Sequence, residues 1–162
     1  MHGNQSVLFH KFVLLIISMT NKTFDSYSYL LDRTARRVKQ YAQQKFSAGD
    51  FNITVDQWLV LKNLDNDRYL KQTELAELTG KDNPTLTRIV DLLCKKTLTE
   101  RVIHKTDRRS FTVHLTENGK QLLKGLSPKV ADIRMKAWEG LSETDYEDLK
   151  RILNKIYMNL EL

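Results

Sequence analysis

Hydroxyl, amide and guanidinium side chains gather in one stretch of this 162-residue sequence, and their chemistry suits an anionic polymer. Thr85, Thr87, Arg88 and Asp91 fall on one side of a helical pattern that opens at Asn83-Pro84. Short polar groups and an arginine on one helix face can reach base edges and phosphates. About twenty residues later Asp107-Arg108-Arg109 joins two strand-like runs. From Lys81 to Ser110 there are eight basic and four acidic residues, a local charge of +4 within a whole-chain charge of +6. From Leu141 to Leu162 five acids outweigh three bases, leaving −2. The chain is therefore polarised, with a basic middle that favours an anionic partner.

Enzymatic signatures are missing. The sequence has no phosphate-binding glycine loop and no nucleophile elbow, so we read no enzyme, no cofactor and no metal. Cys94 is the single cysteine, which excludes an intrachain disulfide and a cysteine-rich zinc cluster and fits a reducing cytoplasm. A lone helical cysteine is usually inert, although Lys95 and Lys96 beside it could favour a thiolate. His104 and His114 fall on the strand-like runs. A four-residue tip would set His104 against Phe111 and His114 against Arg101, which offers no metal pair.

The elements that must carry these groups follow from periodicity. Phe24, Tyr27, Leu31, Val38 and Tyr41 recur at helical spacing, giving a helix from Phe24 to Phe46. Thr54-Val55-Asp56-Gln57 is a capping box opening a helix to about Leu64. A short helix from Thr73 to Thr79 ends at Gly80. The next runs from Asn83-Pro84 to about Lys96, with Leu86, Ile89, Val90 and Leu93 inward. Two short helices joined by Gly80-Lys81-Asp82 form a helix-turn-helix pattern. Thr99 to His104 and Ser110 to Leu115 then alternate as a β-hairpin, the wing. Thr116 caps a helix to about Glu139, where Pro128 should introduce a kink, and Ser142 caps a last helix with Leu149, Ile152, Leu153, Ile156 and Leu160 on one face. The fold class is mainly α with a small β-hairpin wing: a winged helix-turn-helix flanked by N- and C-terminal dimerisation helices. Residues 24–48 and 117–162 make the dimerisation part and residues 54–116 the winged part, within a single domain of residues 21–162.

Residues 1–20 are a separate question. Val7 to Met19 is strongly apolar but shorter than the ~20 residues of a spanning helix. We read it as an upstream extension with Met19 the true start, or as an extra helix on the dimer interface, and prefer both to a membrane anchor.

This arrangement resembles the MarR family of bacterial transcriptional regulators, from about Phe24 to Leu160. Three motifs carry the resemblance: Glu74-Leu75-Ala76-Glu77, Asn83 to Asp91, and Asp107-Arg108-Arg109 followed after five residues by Leu115-Thr116 and then Gly119. The sequence departs from the family pattern at Thr97, where a glycine is usual, and at Thr99, where a branched apolar residue is usual, which should loosen the root of the wing.

The resemblance implies a homodimer on double-stranded DNA, probing a palindrome with its two recognition helices. On that model Asn83, Thr85, Thr87 and Arg88 contact bases or phosphates. Arg108 enters the minor groove, where an arginine reads width and potential. Asp107 shapes the wing, and Arg109 does so too while reaching phosphate. Lys81, Lys95, Lys96 and Lys105 are further phosphate candidates, each as readily a solvated side chain. The family also implies release by a small aromatic or lipophilic effector; Tyr27, Tyr41, Trp58 and Trp138 could line its pocket, though aromatics at helical spacing are more often core. The rival reading is a winged-helix protein-interaction module that reads no DNA.

Overall fold

The structure is a computed structural model and describes residues 26–66, 68–103 and 111–160. The extension of residues 1–20, Phe24, His104, Lys105, Asp107, Arg108 and Arg109 lie outside the described residues. In order the elements are α1 (Tyr27–Ala48), α2 (Val55–Asn63), β1 (Leu70–Lys71), α3 (Gln72–Thr79), α4 (Asn83–Lys95), β2 (Thr99–Ile103), β3 (Phe111–Leu115), α5 (Glu117–Lys136) and α6 (Glu143–Asn159). The chain divides into two units, one ending at Tyr41 and one beginning at Ala42. Among the described residues no helix is long and apolar enough to cross a membrane.

In the first unit α1 exposes Tyr27, Tyr29, Leu30, Leu31 and Val38. Arg36 pairs with Asp32 one turn away. The last turns of α1 belong to the second unit, where Phe46 is buried with its ring edge-on to Phe51 and Trp58.

The second unit begins with the expected capping box. The Gln57 N–H donates to Thr54 Oγ1, and the Thr54 N–H donates to Gln57 Oε1, each at 3.2 Å. Two of the four orphan donors of α2 are thus satisfied within the chain. Val60, Leu61 and Leu64 then pack with Leu75, Leu86, Val90, Leu93 and Val113 in a core closed to solvent. A helix face of this kind is held by removal of apolar surface from water, about 1.5–3 kcal/mol for each large side chain.

The sheet has three strands in the order β1-β3-β2, all antiparallel. β1 is too short for alternation to reveal it, and the sequence reading had no strand there. The register also corrects an expectation. His114 lies opposite Glu100, Arg101 opposite Val113, and Ile103 opposite Phe111, so the strands pair one residue away from the four-residue-tip arrangement. Burial decides this. The observed register sets Thr99 against Leu115, both buried. The expected one would set the Glu100 carboxylate there, and burying an unpaired charge is costly.

α5 starts where the wing ends. Thr116 Oγ1 accepts from the Gly119 N–H at 3.1 Å and donates to the Thr97 carbonyl at 2.6 Å. A Cβ on Gly119 would lie 2.1 Å from the Leu98 carbonyl oxygen, inside any tolerable contact. The Leu-Thr-x-x-Gly spacing therefore lets the first turn of α5 press against the backbone leading into β2. α5 continues through Pro128 to Lys136. Ser142 and Asp145 form a second capping box at α6. The Ser142 hydroxyl and N–H hold the Asp145 carboxyl below its ordinary value. No residue of α6 is buried.

Candidate nucleic-acid interface

The turn between α3 and α4 is set by local chemistry. Gly80 adopts φ +61°, a left-handed conformation that glycine takes without the Cβ penalty. Asp82 follows as the N-cap of α4, its Oδ1 accepting from the Thr85 N–H at 2.7 Å. That bond is the main reason the Asp82 carboxyl sits below its ordinary value. Leu86, Val90 and Leu93 plug α4 into the core, which turns Asn83, Thr85, Thr87, Arg88 and Asp91 outward, all exposed. The structure thus brings the four recognition-helix candidates together on one open face. Arg88 makes no ion pair with any described residue.

The outer face is fixed to the wing by a group that sequence reading counted only as charge. Arg101, on β2, donates from Nε to Gln72 Oε1 at 3.0 Å and pairs through Nη1 with Asp91 Oδ1 at 2.7 Å. Gln72 Nε2 donates to Thr87 Oγ1 at 3.0 Å, and Thr87 donates its own proton to the Asn83 carbonyl at 2.9 Å. Asp91 would otherwise place a bare carboxylate on this open face. Partial exposure of the Arg101–Asp91 pair keeps its contribution to stability modest, so its larger effect is on local charge and geometry. The signal for Arg101 was its place on the inward-facing period of β2, which only the observed register reveals.

The lysines divide. Lys81 Nζ lies 3.0 Å from Asp56 Oδ1 and is only 20% exposed, so it ties the helix-turn-helix turn to the first turn of α2. Lys96 Nζ donates to the Asn52 carbonyl and lies 3.5 Å from Gln57 Oε1. Lys95 is exposed in the last turn of α4.

The two departures in the hairpin root have distinct structural roles. Thr97 takes φ +56°, a left-handed conformation that crowds a β-branched residue. Its carbonyl accepts from Thr116, and its hydroxyl lies 3.3 Å from Asn118 Nδ2. Thr99 is buried, with its hydroxyl 3.4 Å from Cys94 Sγ. Cys94 thus meets a buried hydroxyl. His114 Nε2 lies 2.9 Å from Glu100 Oε1, and its ring stacks on Tyr69 with centroids 4.4 Å apart.

The aromatic candidates for an effector pocket differ in burial. Tyr27 is exposed, Tyr41 half-buried and Trp58 buried in the Phe46 cluster. Trp138, the fourth candidate, walls an open, mainly apolar cleft of about 560 Å³ where α5 meets α6, together with Met135, Leu141, Tyr146 and Leu149.

Residues 53–111 match the model of the MarR family. The transcriptional repressor MprA of Escherichia coli K12 is 28% identical over 125 residues, covering 77% of this chain and 71% of that protein. Staphylococcus aureus MepR in complex with DNA superimposes with a TM-score of 0.71 at 28% identity, over 83% of this chain and 98% of MepR. Bordetella bronchiseptica BpsR, solved in a study of how 6-hydroxynicotinic acid regulates its DNA binding, shares the fold with a TM-score of 0.73 at 24% identity, over 81% and 92% of the two chains. With the helix-turn-helix, the three-stranded sheet and the Leu115-Thr116-x-x-Gly119 junction in place, the chain carries a MarR-family match over its helix-turn-helix and first wing strand and is similar in fold to MarR-type regulators.

Proposed function

We propose that this protein is a transcriptional repressor that binds a palindromic DNA operator as a homodimer in the cytoplasm. The observation that carries this reading is the open face of α4, where Asn83, Thr85 and Arg88 stand free of the core and Asp91 is neutralised by Arg101. A helix presenting such groups can enter the major groove, with Arg88 positioned for guanine or phosphate. Arg108 enters the flanking minor groove, Asp107 shapes the wing, and Arg109 and Lys105 reach phosphates beside it. Lys95 adds a phosphate contact. Lys81 and Lys96, engaged inside the protein, support the interface from behind.

DNA binding is supported by the MepR complex, and repression by the relative MprA. The uncovered apolar face of α6 supports a dimer. Release by a small aromatic or lipophilic ligand is supported by BpsR. In this reading the protein has no catalytic role.

The test is an Arg88→Ala, Arg108→Ala double variant titrated against the selected operator at several salt concentrations. The expected result is weaker binding and a shallower salt slope, because fewer counterions are released. Unchanged affinity and slope would show that these arginines do not read DNA.

A further inference from the structure

Gln72 opens α3 and is half-buried, and its amide is used at both ends. The guanidinium of Arg101 can only donate, so it must face the amide oxygen, which leaves the NH2 toward Thr87. Thr87 has already committed its proton to the Asn83 carbonyl and can meet that NH2 only as an acceptor. Every donor in the chain Arg101–Gln72–Thr87–Asn83 therefore points the same way, and the chain joins β2, α3 and α4.

A threonine in a helix divides between two χ1 rotamers, because its hydroxyl can bond back to the preceding turn. Which rotamer is taken decides what the outer face of α4 presents at Thr87. The methyl suits a thymine methyl, while the hydroxyl suits a polar base edge. We propose that Gln72 is a positioning residue for base readout: it selects one rotamer of Thr87 and couples it to the wing through Arg101, so the sequence preference of the protein depends on a residue that touches no base. The proposal rests on the DNA-binding reading above.

The experiment is selection of bound sequences from random duplexes by the full chain, its Gln72→Met and Thr87→Val variants, and the double variant. The wild type should enrich a motif. Gln72→Met and Thr87→Val should flatten preference at the same base pair, by about 3- to 10-fold, the range of one hydrogen bond. The double variant should be no flatter than either single one, because all three remove the same bond. The salt slope should stay unchanged, since Gln72 and Thr87 are neutral. Gln72→Ala, which removes the amide without adding bulk, should flatten the same base pair, and it stands as a separate readout if Gln72→Met fails to fold.

Wild-type preference in a folded Gln72→Met protein overturns the proposal. So do flattening at different base pairs in the two single variants, and losses that multiply in the double. A wild type that enriches no motif overturns the DNA-binding reading itself, an outcome distinct from the others.

Discussion

α4 and α6 are both amphipathic helices with apolar residues at three- and four-residue steps, yet they end in opposite states. α4 buries Leu86, Val90 and Leu93 completely. α6 leaves Ile152 46% and Leu153 37% exposed and buries nothing. The period of a helix shows which face wants cover but not who supplies it. In the winged part the cover comes from α2, α3, α5 and the sheet of the same chain. For α6 the described residues of the second unit supply no such cover. The two helices thus separate an apolar face covered within the chain from one left open.

That contrast can be broken at several points. The largest effect should come from Leu86→Ala, which opens a cavity in a closed core and should lower unfolding free energy by about 2–5 kcal/mol in urea titration. Ile152→Ala should cost far less at protein concentrations too low for association, yet should lower a melting temperature that depends on concentration. Equal losses for the two variants in dilute protein would erase the distinction between the helices. Gly119→Ala comes next: its methyl would drive into the Leu98 carbonyl, and overpacking of this kind costs about 1–3 kcal/mol. A neutral result in the same titration would show that the root of the wing can shift.

Thr97→Gly has the opposite sign. It relieves a left-handed β-branched residue, and the lost bond to Asn118 offsets part of the gain, leaving up to about 1 kcal/mol of added stability by thermal unfolding. Acid titration is the smallest effect. The Asp82 carboxyl is lowered from 3.8 by the Thr85 N–H, so its capping contribution is present above that value and fades as pH falls through the lower folded value. Hydrogen exchange at Thr85, with base-catalysed rates corrected, should show the first turn of α4 loosening there and not near neutrality.

Local features were the legible ones. Thr54-x-x-Gln57, Asp82 before Pro84, Thr116 and Ser142 all act as caps, because a cap involves residues three apart and needs no distant partner. Gly80 was readable for the same reason. The strand β1 was not, because two residues carry no period and its existence depends on β3 forty residues away. The contacts of Lys81 with Asp56 and of Lys96 with Asn52 were equally hidden, because each joins residues far apart in the chain. Cys94 and Thr99 looked like an oddity and a departure; together they are one contact.

Residue order alone therefore determined the helices, their caps, the hairpin and the outward face of α4, because each follows from the spacing of apolar and capping residues within one or two turns. Tertiary packing alone decided the register of the wing, the third strand, and the chain of hydrogen bonds from Arg101 through Gln72 to Thr87. These depend on which distant surfaces meet, and burial settles that. A one-residue slip in β2 against β3 would set Glu100 where Thr99 now lies, and the cost of burying that charge excludes it.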